Sequence, residues 1–173
     1  LFLYGPQNSG KSIFHEALTM LVTRGAERAD VALTNSQGFN GELANAILCI
    51  IEETNLKQNL IAYNRIKDWV TSKHLPIHIK NKTPYHIPNT THWVQCANES
   101  TAVPIFKGDT RITMIYVDNL DPMELIPKKI LYDTLRKEAP DFLGGMMRLE
   151  LPPSNDRLNV PVIVTDSKIA ATK

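Results

Sequence analysis

Apolar residues along this chain recur in two rhythms, short unbroken runs and helically spaced stripes. Leu1-Phe2-Leu3-Tyr4 is a run of strand length, and beyond the stretch from Gly5 to Ser12 the residues Ile13, Phe14, Ala17, Leu18, Leu21 and Val22 fall at helical spacing until Gly25. Strand, glycine loop and helix are therefore the first predicted unit. Ala46 to Ile51 is a second unbroken apolar run, closed by Glu52-Glu53, as expected of a strand buried on both faces in a parallel sheet. From Gln58 to Thr71, the positions of Ile61, Ile66, Trp69 and Val70 predict a helix with a partial apolar stripe, its other side carrying Arg65 and Lys67. Alternation over residues 77–80 and 85–88, around Asn81-Lys82-Thr83-Pro84, predicts a β-hairpin. Trp93 to Ala97, ending at Asn98, and Arg111 to Val117 are further predicted strands. A short strand at Val31 to Thr34 and a short helix near Glu42 to Ala46 fill the early gap. Helices from Glu124 to Glu138, broken near Pro127, and from Asp141 to Leu149 follow the last strand.

Strands alternating with helices predict an α/β fold with a central, mostly parallel sheet. Residues 1–150 read as one domain, and residues 151–173, with Pro152, Pro153 and Pro161, as a linker into a further C-terminal module. The chain opens inside a strand without an initiator Met, which predicts a piece of something longer. It holds neither an apolar run of about 18 residues nor a basic segment leading into an apolar stretch and a cleavage site. No membrane span and no export are therefore expected, and the cytoplasm is the expected location. Cys49 and Cys96, each inside an apolar run, read as reduced core thiols rather than a disulfide or metal site.

Charge narrows the picture further. A formal net charge of +1 and a pI near 8.0 exclude a protein that grips nucleic acid over its whole surface, so any such binding needs a local basic patch. Residues 64–92 supply one: Arg65, Lys67, Lys73, Lys80 and Lys82 are opposed only by Asp68, with His74, His78, His86 and His92 among them. A solvated charged hairpin is the plain alternative.

Candidate chemistry begins at Gly5-Pro6-Gln7-Asn8-Ser9-Gly10-Lys11-Ser12, which fits G-x-x-x-x-G-K-[ST] at every fixed position. In that pattern the glycines permit tight turns, backbone N–H groups and the following helix terminus face phosphates, and the lysine ammonium reaches the outer ones. Ser12 would ligate Mg2+, and ATP is the expected nucleotide. Glu52 and Glu53 stand at the carboxyl end of a predicted buried strand, the edge where ligands bind in open α/β sheets. One carboxylate, assigned to Glu52, would hold the metal's water shell while its neighbour orients and deprotonates the attacking water. Asn98 repeats that placement at the end of another strand, where its amide would hold the γ-phosphate or the lytic water; a plain turn residue is the equal alternative.

The order of these signals resembles the superfamily III helicases, particularly the ATPase domains of phage and plasmid primase-helicases. The resemblance runs from Leu1 to about Asn119, with a weaker echo in Leu158-Asn159-Val160-Pro161-Val162. It implies a P-loop NTPase of AAA+-like, three-layer architecture with a β-hairpin insertion, Mg2+-dependent ATP hydrolysis, a homo-oligomeric ring of hexamer type, and 3′ to 5′ movement on single-stranded DNA. Such motors work in a phage, virus or plasmid replication protein inside a bacterial host, often with a fused primase. It assigns Glu52-Glu53 to the acidic motif, Asn98 to the polar sensor, and Lys80 and Lys82 to a DNA-contacting hairpin, with Lys67 and Lys73 ahead of them. Arg111 becomes the arginine that reaches a neighbouring subunit's ATP site. Relatives often carry two adjacent arginines where this chain has Thr110-Arg111, and often an Asp in the acidic pair. Two other classes share the loop. A small-molecule phosphotransferase needs a lid rich in arginine, of which the chain shows no cluster, and a non-motor nucleotide switch would not need the acidic pair.

Overall fold

The computed structural model of the protein describes residues 1–22, 24–52, 54–151 and 163–172, with the backbone alone at Glu124. Strand β1 (Phe2–Tyr4) leads through the glycine loop into helix α1 (Lys11–Leu21). Strand β2 (Ala26–Arg28) and helix α2 (Asp30–Thr34) follow, then a 3-10 turn at Gly41–Asn45 and strand β3 (Leu48–Ile51). Helix α3 (Leu60–Thr71) starts on an Asn59 cap, whose Oδ1 accepts from Ala62 N at 3.0 Å. Strands β4 (His74–Ile77) and β5 (Tyr85–Pro88) form the hairpin, and β6 (His92–Ala97) and β7 (Met114–Tyr116) complete the strands. Helices α4 (Lys128–Met146) and α5 (Asp166–Ala171) close the described chain.

The main sheet has five strands in the order β2-β3-β6-β1-β7, every neighbouring pair parallel. The central strands β1, β3 and β6 are buried on both faces, which is why β3 reads as an unbroken apolar run and β6 as an apolar run interrupted at buried Gln95 instead of as an alternating one. Phe2 and Ile51 join a core cluster with Ala32, Leu33, Tyr63 and Trp69, whereas Leu3, Ile50, Val94 and Cys96 form a second cluster. Successive residues of a strand point to opposite faces, so these clusters are the two sides of one sheet. From β1 the chain crosses to β2 on one flank, and the crossover after β6 passes β1 to reach β7 on the other. The order reverses at β1, the topological switch point beside which ligands bind in such sheets.

The hairpin is a separate antiparallel pair, with Ile77 opposite Tyr85 and His74 opposite Pro88. Two asparagines hold its base. Buried Asn40 donates from Nδ2 to Pro76 O at 2.7 Å, and its Oδ1 accepts from His78 N at 2.7 Å. Asn89 donates from Nδ2 to Trp69 O at 2.6 Å and to Ser72 O at 2.8 Å. Residues 80–86 at the far end are exposed.

Several boundaries differ from the expectation. Val31 to Thr34 lies in helix α2, not in a strand: Ala29, Ala32 and Leu33 are buried at helical spacing while Val31 is 66% exposed, and the strand is the more polar Ala26–Arg28. The hairpin's first strand sits at His74–Ile77, so 78–84 is all loop. On α3 the buried face is Ala62, Tyr63 and Trp69, and Ile61 points outward. Strand β7 starts only at Met114, because Arg111 turns aside to Asp109. The two expected C-terminal helices are one, α4, which begins after Pro127 and runs through Pro140 at the loss of one backbone donor. Of the stretch expected to be a linker, α5 lies against β7, where Lys168 Nζ donates to Ile112 O at 2.6 Å and Thr165 Oγ1 donates to Met114 O. The 158–162 echo lies outside the described residues. No helix among the described residues is long and apolar enough to cross a membrane.

Candidate functional site

Close approach of backbones sets the glycine loop. Val117 N donates to Tyr4 O at 2.8 Å, and a Cβ on Gly5 would overlap the Val117 carbonyl, so only glycine fits where β1 ends. Asn8 at φ 65° and Gly10 at φ 82° then turn the chain through left-handed conformations, which Gly and Asn tolerate best. The loop closes around its own lysine. Lys11 is buried, and its Nζ donates to Gly5 O at 3.0 Å, Pro6 O at 2.6 Å and Ser9 Oγ at 3.2 Å. Helix α1 begins at Lys11 with no side-chain cap on Gly10, so its first N–H groups are left for other partners.

Glu52 is the first residue beyond β3, and both of its oxygens are engaged. His15 Nε2 lies 2.9 Å from Oε1, and Arg28 Nη2 lies 3.0 Å from Oε2. Asp30 secures the turn that follows, accepting from Thr54 N at 2.9 Å and Thr54 Oγ1 at 2.8 Å, while buried Gln95 on β6 donates to Thr54 O at 3.0 Å. His15, Arg28, Asp30 and Gln95 were not among the sequence candidates. His15 had a legible signal, since it stands four residues after Lys11 and hence on the same helical face. Arg28 and Asp30 had none once β2 was misplaced. Glu53 lies outside the described residues.

One polar cleft of about 530 Å³ collects these parts. Gln7 to Ser12 line one side, Glu52 and Asn98 stand at the ends of β3 and β6, and Lys128 and Tyr132 of α4 complete the wall. The structure thus brings together Gln7, Asn8, Ser9, Gly10, Lys11, Ser12, Glu52 and Asn98, with Gly5 and Pro6 reaching the site through the Lys11 ammonium. Cys96 lies in the same cleft. Burial and then the Glu52 carboxylate push its thiol up to about 11, with Lys11 pulling the other way, so it is a protonated thiol at neutral pH. Both cysteines are buried and neither forms a disulfide.

The remaining candidates lie elsewhere. Arg111 borders a separate, apolar cavity of about 440 Å³. Its Nε and Nη2 donate to Asp109 at 3.1 and 2.6 Å, and its backbone N donates to Asp109 Oδ1 at 2.8 Å. Lys67 borders that cavity too, its ammonium 4.7 Å from the centre of the Tyr63 ring. Lys80 and Lys82 sit exposed in the 78–84 loop, and Lys73 immediately precedes β4. Arg65 leaves the basic patch altogether: its Nη1 donates to Ala32 O, Leu33 O and Asn35 O at 3.0, 2.9 and 2.7 Å. A guanidinium there caps the carbonyl end of α2.

Fold and cleft together define an α/β domain with an all-parallel sheet and a ligand crevice at its carboxyl edge. Residues 3–111 match the family described as "Family of unknown function (DUF5906)", and the chain belongs to that family. Over 119 residues the chain is 26% identical to the DNA primase-polymerase of Nitratiruptor phage NrS-1, a match that takes in 67% of this chain and 17% of the phage protein. An apo structure of the NrS-1 C-terminal region aligns with a TM-score of 0.78 at 26% identity, covering 98% of this chain and 41% of that one. The A-form apo structure of that region also aligns with a TM-score of 0.78, covering 98% of this chain and 40% of that one; at 24% identity it bears on the fold alone.

Proposed function

We propose that this domain is the ATP-hydrolysing motor of a phage-type DNA replication protein, of the superfamily III helicase kind, moving 3′ to 5′ on single-stranded DNA as part of a hexameric ring. The observation that carries the reading is the convergence in one cleft of the loop wrapped around Lys11, the carboxylate of Glu52 and the amide of Asn98. Lys11 and the backbone N–H groups of residues 7–12 bind the phosphates, and Asn98 orients the attacking water or the terminal phosphate. Glu52, with both oxygens already tied down, orients the metal's water shell, which leaves Glu53 as the base.

The residues suit a magnesium ion. Among the described residues no cluster of three or more His, Cys, Asp or Glu could hold a metal unaided, and Mg2+ in such sites is held by phosphates and water with one or two protein oxygens; here Ser12 would supply one and Glu52 would hold the ion's water shell. When bound, the ion neutralises charge on the phosphates. Arg111 stays the arginine proposed for a neighbouring subunit's site, which it reaches only by giving up its two guanidinium bonds to Asp109. Lys80 and Lys82 contact DNA phosphates from the exposed hairpin loop, with Lys73 behind them and Lys67 joining only by leaving the Tyr63 ring. Likeness to a phage primase-polymerase supports a replication role and a primase in the same or an associated chain.

The test is ATP hydrolysis by the full-length protein with and without single-stranded DNA, beside the Lys80→Ala/Lys82→Ala double variant. DNA should stimulate turnover, and the variant should lose the stimulation. The salt dependence of its DNA binding should flatten by about 1.4 log units per log unit of salt, the share of two phosphate contacts on a single strand. Hydrolysis indifferent to DNA in both proteins would overturn the motor and point to a small-molecule phosphate acceptor.

A further inference from the structure

Two buried polar atoms of the cleft have no role in the phosphate chemistry. Among the described residues, Glu16 Oε2 and Tyr132 Oη are both buried without a hydrogen-bond partner, and both residues line this cleft. A buried polar atom without a partner has given up its water and gained nothing in return, so such groups mark strain, a bound water or ion, or a ligand contact. Their position favours the ligand. Glu16 lies one helical turn beyond Ser12 on α1, and Tyr132 lies on α4, which packs along α1. The cleft wall also carries Ile13 and Leu120, and Lys128 sets its ammonium 5.1 Å from the centre of the Tyr132 ring. A carboxylate acceptor, a phenol and apolar surface suit a sugar with vicinal hydroxyls joined to a flat ring, not another phosphate.

We propose that Glu16 and Tyr132 hold the nucleoside end of the nucleotide, Glu16 accepting hydrogen bonds from ribose hydroxyls and Tyr132 contacting the base. This rests on the ATP-binding reading of the same cleft. It makes α4 a part of the nucleotide site and gives the cleft a means of telling a ribonucleotide from bare phosphate and from a deoxynucleotide.

The experiment is calorimetric binding of Mg-ATP, Mg-2′-deoxy-ATP and Mg-tripolyphosphate to the full-length protein, beside Glu16→Gln, Tyr132→Phe and Tyr132→Ala. Wild type should bind ATP more tightly than either of the other two. Glu16→Gln should lose about tenfold in ATP affinity, the worth of a hydrogen bond to a charged group, and should cease to discriminate against deoxy-ATP, with tripolyphosphate binding intact. Tyr132→Ala should weaken ATP and deoxy-ATP alike, and Tyr132→Phe less so. Equal losses for ATP and tripolyphosphate would reduce both residues to structural supports and overturn the proposal, as would unchanged ATP affinity. If wild type binds tripolyphosphate and ATP equally, the nucleoside site falls while the phosphate loop stands; if it binds neither, the ATP-binding reading falls with it.

Discussion

Replacing Lys11 with methionine should lower ATP turnover by on the order of a hundredfold or more, the usual cost of removing a preorganised charge from a transferring phosphoryl group. Lys11 is buried with its ammonium on Gly5 O, Pro6 O and Ser9 Oγ. The charge is thus held at the bend of the loop before any substrate arrives, and no reorganisation is needed at the moment of reaction. Methionine matches the lysine stem in length and fills the same space, so the thermal midpoint should move by only a few degrees, in keeping with three neutral acceptors left to water or loop N–H groups. Steady-state phosphate release and a melting curve on the same preparation separate the effects. Turnover that survives in a folded Lys11→Met protein would remove the glycine loop from the chemistry.

The largest expected effect on stability lies outside the cleft. Asp109 has a side chain only 2% exposed, and it takes two guanidinium bonds and one backbone bond from Arg111. Replacing it with alanine strands a half-buried guanidinium and should cost about 3 to 5 kcal/mol, measured by denaturant unfolding. Burial alone would push the Asp109 carboxyl up; the side-chain and backbone hydrogen bonds from Arg111, with its charge and that of Lys168, outweigh it, and the net direction is down. A depressed folded value means stability that is present above the unfolded carboxylate value near 4 and lost as pH falls through the folded one. The gap in stability between wild type and Asp109→Asn should therefore be full at pH 7 and shrink steadily below about pH 4. A gap unchanged down to pH 2 would show that the pair contributes packing and no charge linkage.

Arg111 also shows why a local motif and a tertiary role can part company. Read along the chain, an arginine before an apolar run marks the start of a strand. In space it is spent on Asp109 two residues earlier, and the strand is delayed to Met114. The basic patch divides in the same way. Lys80 and Lys82 remain exposed on the hairpin loop, but Arg65 caps helix α2 across about thirty residues of chain and Lys67 lies on Tyr63. Sequence shows that a charge exists, and only packing shows what it has been spent on.

What the sequence by itself determined is the set of features fixed by local backbone chemistry and by burial on two faces: the Gly5 to Ser12 turn between β1 and α1, the largely apolar runs of β3 and β6 that suit a parallel sheet, and the polar residues at their carboxyl ends. What only the tertiary structure decided is which side chains answer one another across the sheet. The strand order that makes β1 the reversal point, the clamp of His15 and Arg28 on Glu52, and the approach of Tyr132 to the cleft all join residues far apart in the chain. Periodicity reports which face of an element is buried, and it carries no information about what that face is buried against.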